Sequence, residues 1–306
     1  LLTKVAGAHP DGMSATFEQR SDLGLPALPT GSLPDGDAVA SALTMLTGDH
    51  TVRVWLAGTE HAKVALVDGS SETSVIRNGN EVWAWSSEKQ RAEHATITPG
   101  ERPGPSATPT SPTEAVQRLL DAVEPSTNVA TSGTGYVAGR AVYQLVLTPK
   151  DDASLVGQVR ISVDAETFVP LGARVIADDG SDAVRIAATS VDFSRPDDAI
   201  FAFTPPPGAE VTEAGKPDGT PSTPSGTPAQ PKVVGTGWTT VAVAKVGEQK
   251  DKNVTTLLES LPEVSGSWGH GRLLSTTLVT AVITDDGRVA VGSVVPERLY
   301  AALAEK

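Results

Sequence analysis

Between Thr51 and Ile97 the chain reads TVRVWLAGTEHAKVALVDGSSETSVIRNGNEVWAWSSEKQRAEHATI, and few folds can hold such a stretch. Five runs rich in Val, Ile, Thr and Trp alternate with turn residues, which is the pattern of an antiparallel meander. Asn78-Gly79 sits between TSVI and EVWAW and suits a two-residue type I′ turn, whose central positions both need positive φ. That loop predicts Val75 opposite Val82, Ser74 opposite Trp83 and Ile76 opposite Glu81. One face then carries Val75, Val82 and Ala84, while the other mixes Trp83 and Trp85 with Glu72, Ser74 and Glu81. Side chains alternate along a strand, so a slip of one residue would destroy this sorting.

A second β-rich series runs from Gly139 to Val191 as RAVYQLVLT, QVRISV, FVPLGARVIA and AVRIAATSV. Its turns fall at Asp151-Asp152, Asp164 to Thr167 and Asp178-Asp179-Gly180. In its first strand Tyr143, Leu145 and Leu147 share one face and Val142 and Val146 the other, so both faces are to be covered or to line a cavity. Met13, Ala15 and Phe17 alternate with polar residues and predict an earlier strand. Helices are predicted at Asp37 to Thr47, with Asp37 as cap, and at Pro112 to Glu124, where Ser111-Pro112-Thr113-Glu114 combines a capping box with Pro at the first helical position. LGLPALPTGSLPDG and PGERPGPSATPTSP read as loops.

Residues 213–231 are dense in Pro, Gly, Thr and Ser and predict a linker or exposed excursion. Beyond it come a strand at Trp238 to Val246, a helix at Asn253 to Leu261, a hairpin joining LLSTTLVTAVIT to RVAVGSVV through Asp285-Asp286-Gly287, and a last helix from Pro296. The expected organisation is a sheet domain over 1–212, the linker, and a small α+β unit over 232–306, either separate or packed onto the first sheet.

Composition excludes several functions. The net charge of −13 argues against nucleic acid, whose affinity for proteins rests on neutralised phosphates, and no run of Lys or Arg offsets it. The absence of Cys removes disulfides, thiolate metal sites and a Cys nucleophile. His9, His50, His61, His94 and His270 have no partners at zinc-ligand spacing. Ser267 near His270 lacks the GxSxG setting, and Gly133-Thr134-Gly135 and Gly235-Thr236-Gly237 lack the helix and Lys of a phosphate loop. No catalytic pair, metal site or cofactor site is therefore predicted. The chain opens on Leu1 and is rich in Thr, Ser, Gly and Pro, so an exported protein with a signal peptide or anchor upstream is expected.

With both β series in view, the chain resembles the bacterial outer-membrane lipoprotein carrier (LolA-like) superfamily, which includes the periplasmic sigma-E regulator RseB. Three stretches carry the resemblance: Arg77-Asn78-Gly79 with Val82-Trp83-Ala84-Trp85; Asp164 to Val175; and the closing segment with Asp192-Phe193, Asp198, Phe201, Phe203, Pro205-Pro206, Gly208 and Val211. It spans about residues 1 to 211 and identifies the chain as a divergent member, of a Gram-positive envelope. The family's arrangement implies a mainly β, α+β fold: a strongly curved antiparallel sheet, an unclosed barrel, plugged by the helices at 37–47 and 112–124 over an apolar cavity. Val54, Leu66, Val75, Val82, Trp83, Trp85, Tyr143 and Leu145 are the expected cavity residues. The implied function is non-enzymatic binding of a lipid, a lipoprotein acyl chain or another apolar ligand. The alternative is an RseB-like regulatory module that binds a membrane-anchored protein. TVRVWLAGTEHAKVAL stands where the carriers have an Arg-Pro-Gly-x-Phe-Arg-Trp strand, and the C-terminal extension is additional. Both departures weigh against lipoprotein hand-over more than against apolar ligand binding.

Overall fold

The computed structural model describes residues 10–24, 48–97, 124–213, 232–245 and 260–305, together with positions 5, 8, 111, 113 and 116–118. The helix expected at Asp37 to Thr47 and most of the one at Asn253 to Leu261, of the two Pro-rich loops and of the expected linker lie outside them. Thr113 and residues 116–118 are helical, within the span expected for the capping-box helix.

Alternating apolar patterns make most of the strands of one large sheet. β1 (Gly12–Ser21) is followed by the meander β2 (His50–Ala57), β3 (His61–Asp68), β4 (Ser71–Asn78), β5 (Glu81–Ser86) and β6 (Arg91–Thr96). Then comes β7 (Thr127–Val137), the second series supplies β8 (Arg140–Pro149), β9 (Val156–Asp164), β10 (Pro170–Ala177) and β11 (Asp182–Asp192), and a short β12 (Glu210–Glu213) completes twelve strands. Their order is β12-β6-β5-β4-β3-β2-β1-β11-β10-β9-β8-β7, so the sheet is open, with β12 and β7 at its edges. All neighbours are antiparallel except β12, which runs parallel to β6 and makes the sheet mixed. β7 has no counterpart in the sequence reading. It is mostly exposed and polar, and Gly133 lies in a bulge between Ser132 and Thr134, so neither apolar alternation nor burial marks it.

The central hairpin corrects the expected register. Its tip is Gly79-Asn80, closed by Asn78 and Glu81, so Ser74 opposes Trp85, Val75 opposes Ala84 and Ile76 opposes Trp83. Gly79 has φ +63° and is the one residue of the pair with positive φ, the arrangement of a type II′ rather than a type I′ turn. Glycine there adopts the left-handed backbone without the strain Asn would carry at a second such position, and its N–H donates to Glu60 O at 2.9 Å in the neighbouring turn. The pairing is displaced by two positions. An even displacement preserves the sorting, and Val75, Val82 and Ala84 remain opposite in face to Trp83 and Trp85.

The remaining strands form a separate antiparallel sheet: β13 (Lys232–Val234), β14 (Val241–Lys245), β15 (Glu263–Gly266), β16 (Gly269–Ser275), β17 (Thr280–Thr284) and β18 (Arg288–Gly292), backed by α1 (Pro296–Ala304). Trp238 lies in a 3-10 turn ahead of β14 rather than in the strand itself. LLSTTLVTAVIT is broken into β16 and β17 by a turn in which Thr276 N donates to Val279 O at 2.9 Å and the Thr276 hydroxyl accepts from Val279 N. That serine- and threonine-rich centre satisfies its backbone locally instead of in the ladder. The two sheets touch through an isolated bridge between Ser154 and Val294, an Arg298–Asp151 ion pair at 2.7 Å, and the Trp238 indole N–H donating to the Thr127 hydroxyl at 2.7 Å.

Gly12 begins β1 where the closing segment passes close by, and a Cβ there would lie 2.3 Å from Arg195 Cα. Gly12→Ala is expected to cost at least the ~1–3 kcal/mol of an overpacked core. Gly79→Ala has open space around it and carries only the left-handed backbone penalty, about 1–2 kcal/mol. Thermal unfolding checks both, and an unchanged melting temperature for Gly12→Ala would contradict the close approach of the closing segment.

Candidate functional site

Direct cross-strand partners point to the same side of a sheet, so the register assigns each expected site residue to a face. Ala15, Val54, Val64, Val75 and Ala84 form one line across β1 to β5. Phe17, Val52 and Leu66 form a parallel line, and Leu56, Ala62, Arg77 and Val82 another. On the other side of β1, Gln19, Ile186, Ala173, Ile161 and Leu145 continue the same face, with Tyr143 two residues along β8. Val54, Leu66, Val75, Val82, Tyr143 and Leu145 thus share one face of the large sheet. It is also the face of the main core, since Leu145, Leu147, Ile161 and Val163 are buried there with Val5 and Val116 packed against them. Val54 and Leu145 are buried, Leu66, Val75 and Val82 half-buried, and Tyr143 is 40% exposed at the margin.

Trp83 and Trp85 lie on the opposite face, in lines with Lys63 and Ile76 and with Ala65 and Ser74. The closing segment covers them. Phe203 packs at 5.5 Å from the ring of Trp83 and 5.9 Å from that of Trp85, and buried Phe201 sits 5.6 Å from His61. A 3-10 turn, Asp198–Phe201, aims these phenylalanines, and the Asp197 carboxylate caps it by accepting from Ala199 N.

The same face carries a polar latch at the sheet edge. His94 on β6 stacks on Trp83 with ring centroids 4.4 Å apart. Its Nε2 bonds Glu81, and its Nδ1 reaches both carboxylate oxygens of Glu213 on β12 at 3.1 Å. Hydrogen bonds to Glu213 first and Glu81 second raise the imidazole pKa above its ordinary 6.5, against a smaller opposing effect of desolvation. Arg91 pairs with Glu210 at 3.0 Å one turn of the strand earlier, so charge at both ends holds β12 to β6. Sequence reading gave His94 no partner, because Glu81 and Glu213 are not its neighbours in the chain.

Two cavities stand out. One, of about 280 Å³, is lined by polar groups of the β15–β16 hairpin and Asp285; the other, about 210 Å³, lies at the β1 bulge between Trp55 and Ser190. Neither is lined by the eight expected residues. Among the described residues there is no cluster of metal-ligating side chains, and no helix is long and apolar enough to cross a membrane. The acidic pairs serve turns, as the sequence implied: Asp151 accepts from Ala153 N and Asp179 from Ser181 N.

Residues 39–210 match the family model described as the MucB/RseB N-terminal domain. No curated protein sequence matches the chain. Among solved structures, the MucA/MucB complex of Pseudomonas aeruginosa is 14% identical, with 99% of this chain and 95% of that one covered and a TM-score of 0.52. MucB in complex with MucA(peri) is 14% identical over 99% and 94%, with a TM-score of 0.49. A LolA superfamily protein from Nitrosomonas europaea is 12% identical over 66% of this chain and 96% of that one, with a TM-score of 0.27.

Because the folded-state pKa of His94 is raised, the stabilisation of the β12–β6 pairing is complete below the ordinary value and is lost as pH rises through the raised one. NMR titration of the His94 ring is expected to give a midpoint above 6.5 that falls in Glu213→Gln. An unperturbed midpoint in the parent protein would show that the latch is not formed in solution.

Proposed function

The chain belongs to the MucB/RseB family, whose model spans more than half of it, and from that membership we propose a non-enzymatic interaction module of the cell envelope that binds a membrane-anchored protein. The family consists of envelope proteins that bind rather than catalyse. The observation that carries the reading is the full-length likeness to the Pseudomonas aeruginosa MucA/MucB complex, which takes in both sheets and not only the one the family model covers. There MucB holds MucA, a membrane-anchored protein. A two-sheet molecule suits regulation by docking, since a partner that touches both sheets gains contacts neither offers alone.

An apolar ligand on the core face is the second reading, supported by the six expected residues that share that face, with Leu66, Val75, Val82 and Tyr143 only partly covered. The strongly curved, helix-plugged half-barrel belongs to this reading, and so does a division into units 1–212 and 232–306. One acyl chain would suffice as ligand at about 0.8 kcal/mol per buried methylene.

Cross-linking in the native envelope followed by mass spectrometry is expected to yield a membrane protein, whose purified extracytoplasmic part then binds the full chain in calorimetry. Tyr143→Ala, at a half-open margin of the core face, is expected to weaken that binding about tenfold if the partner packs there, with the melting temperature unchanged. Native mass spectrometry that finds an acyl ligand and no protein adduct would reverse the order of the two readings.

A further inference from the structure

The register brings together four arginines that the chain keeps far apart. Arg20 on β1 opposes Arg185 on β11, Arg185 opposes Arg174 on β10, and Arg174 opposes Arg160 on β9. The row ends at Val146 on β8. At the usual spacing between neighbouring strands it runs about 14 Å straight across the sheet. It lies on the face opposite the core, the face that bears Trp83 and Trp85 farther along, and Arg20, Arg174 and Arg185 are exposed while Arg160 is half-buried.

Two carboxylates answer these four guanidinium groups. Asp182 binds Arg174, and Glu18 stands 3.7 Å from Arg20. Arg160 donates to the neutral Gln158 amide at 2.6 Å, and among the described residues it and Arg185 share, at longer range, the Asp182 carboxylate that Arg174 binds directly. Like charges directly opposite one another destabilise a sheet, by about 0.2–1 kcal/mol per pair. A chain of net charge −13 thus concentrates repulsive positive charge on one line of an otherwise tolerant surface.

We propose that this arginine row is a docking surface for an acidic segment of a protein partner, laid in extended form across β1, β11, β10 and β9. Next to the row on the same face stand Ala187, Gly172 and Ser162, small residues that leave a shallow track beside the guanidinium groups of β11, β10 and β9 and end at Glu18 on β1. Carboxylates on an extended chain meet such groups in charge-assisted, often bidentate hydrogen bonds. A planar anionic membrane fits less well. It would bring the surrounding acidic surface within the screening length of about 10 Å at 0.1 M salt, whereas a single peptide touches only the row. The inference goes beyond the family reading, stands on the row alone, and can fail while the membrane-protein partner of the preceding section is still found.

Fluorescein-labelled oligoglutamate is the probe, titrated against the full chain at low salt and followed by anisotropy. R160Q/R185Q is expected to weaken its binding about tenfold or more, through loss of two charge-assisted contacts. R91Q/R195Q, which removes the same charge elsewhere, is expected to leave it within about twofold, as distant surface charges are screened. Relief of repulsion is expected to keep the melting temperature of R160Q/R185Q at or above that of the parent protein. Absence of oligoglutamate binding overturns the proposal, as does equal weakening in the two variants. Tighter row-dependent binding of inorganic polyphosphate or of phosphatidylglycerol vesicles would overturn it in favour of phosphate or membrane recognition.

Discussion

Every functional feature of this molecule depends on the cross-strand register of its large sheet. Side chains alternate between faces with a period of two, so a single pairing in one hairpin commits all the residues that follow from it. Turn geometry at Gly79-Asn80 sets β4 against β5, and the lines of partners then run across β3, β2 and β1 into the second series. The result is a sheet with two characters. One face holds the apolar core; the other is divided between an aromatic cluster under the closing segment and a row of arginines.

The energies on the two faces differ in kind. Burial of side chains such as Leu145, Leu147 and Ile161 is what holds the sheet, since removing one large core side chain costs about 2–5 kcal/mol. The ion pairs at the edge and at the junction of the sheets are exposed, and such pairs contribute about 0–1 kcal/mol each. They define where elements sit and how they respond to pH more than whether the chain folds. β12 is an example: four residues long and attached by one parallel ladder, it follows the closing segment. A change of charge at His94 therefore acts on the attachment of β12 to the sheet edge.

Family membership and surface chemistry point to the same kind of activity. A binding protein needs partner surfaces rather than a catalytic constellation. The core face supplies apolar contact at its margin. The arginine row offers the complementary, charged contact on the opposite side, in a protein whose overall charge would otherwise repel an acidic segment.

Much of this was legible in the sequence. The meander, the second series, the Asp-Asp-Gly hairpin and the Pro-led final helix follow from alternation, turn residues and capping, all properties of residues close together in the chain. The assignment of Trp83 and Trp85 to one face and Val75 and Val82 to the other was equally available, because parity survives a displacement of the turn by two positions. β7 was not legible, being a polar edge strand recruited by its neighbour rather than by burial. The same holds for the His94 latch and the row of Arg20, Arg160, Arg174 and Arg185. Composition suggested a chain without a basic patch, and locally it is one. Only the antiparallel pairing of β1, β11, β10 and β9 stacks those four side chains, since strand order in a sheet is a long-range choice made by packing and connection, and no local pattern encodes it.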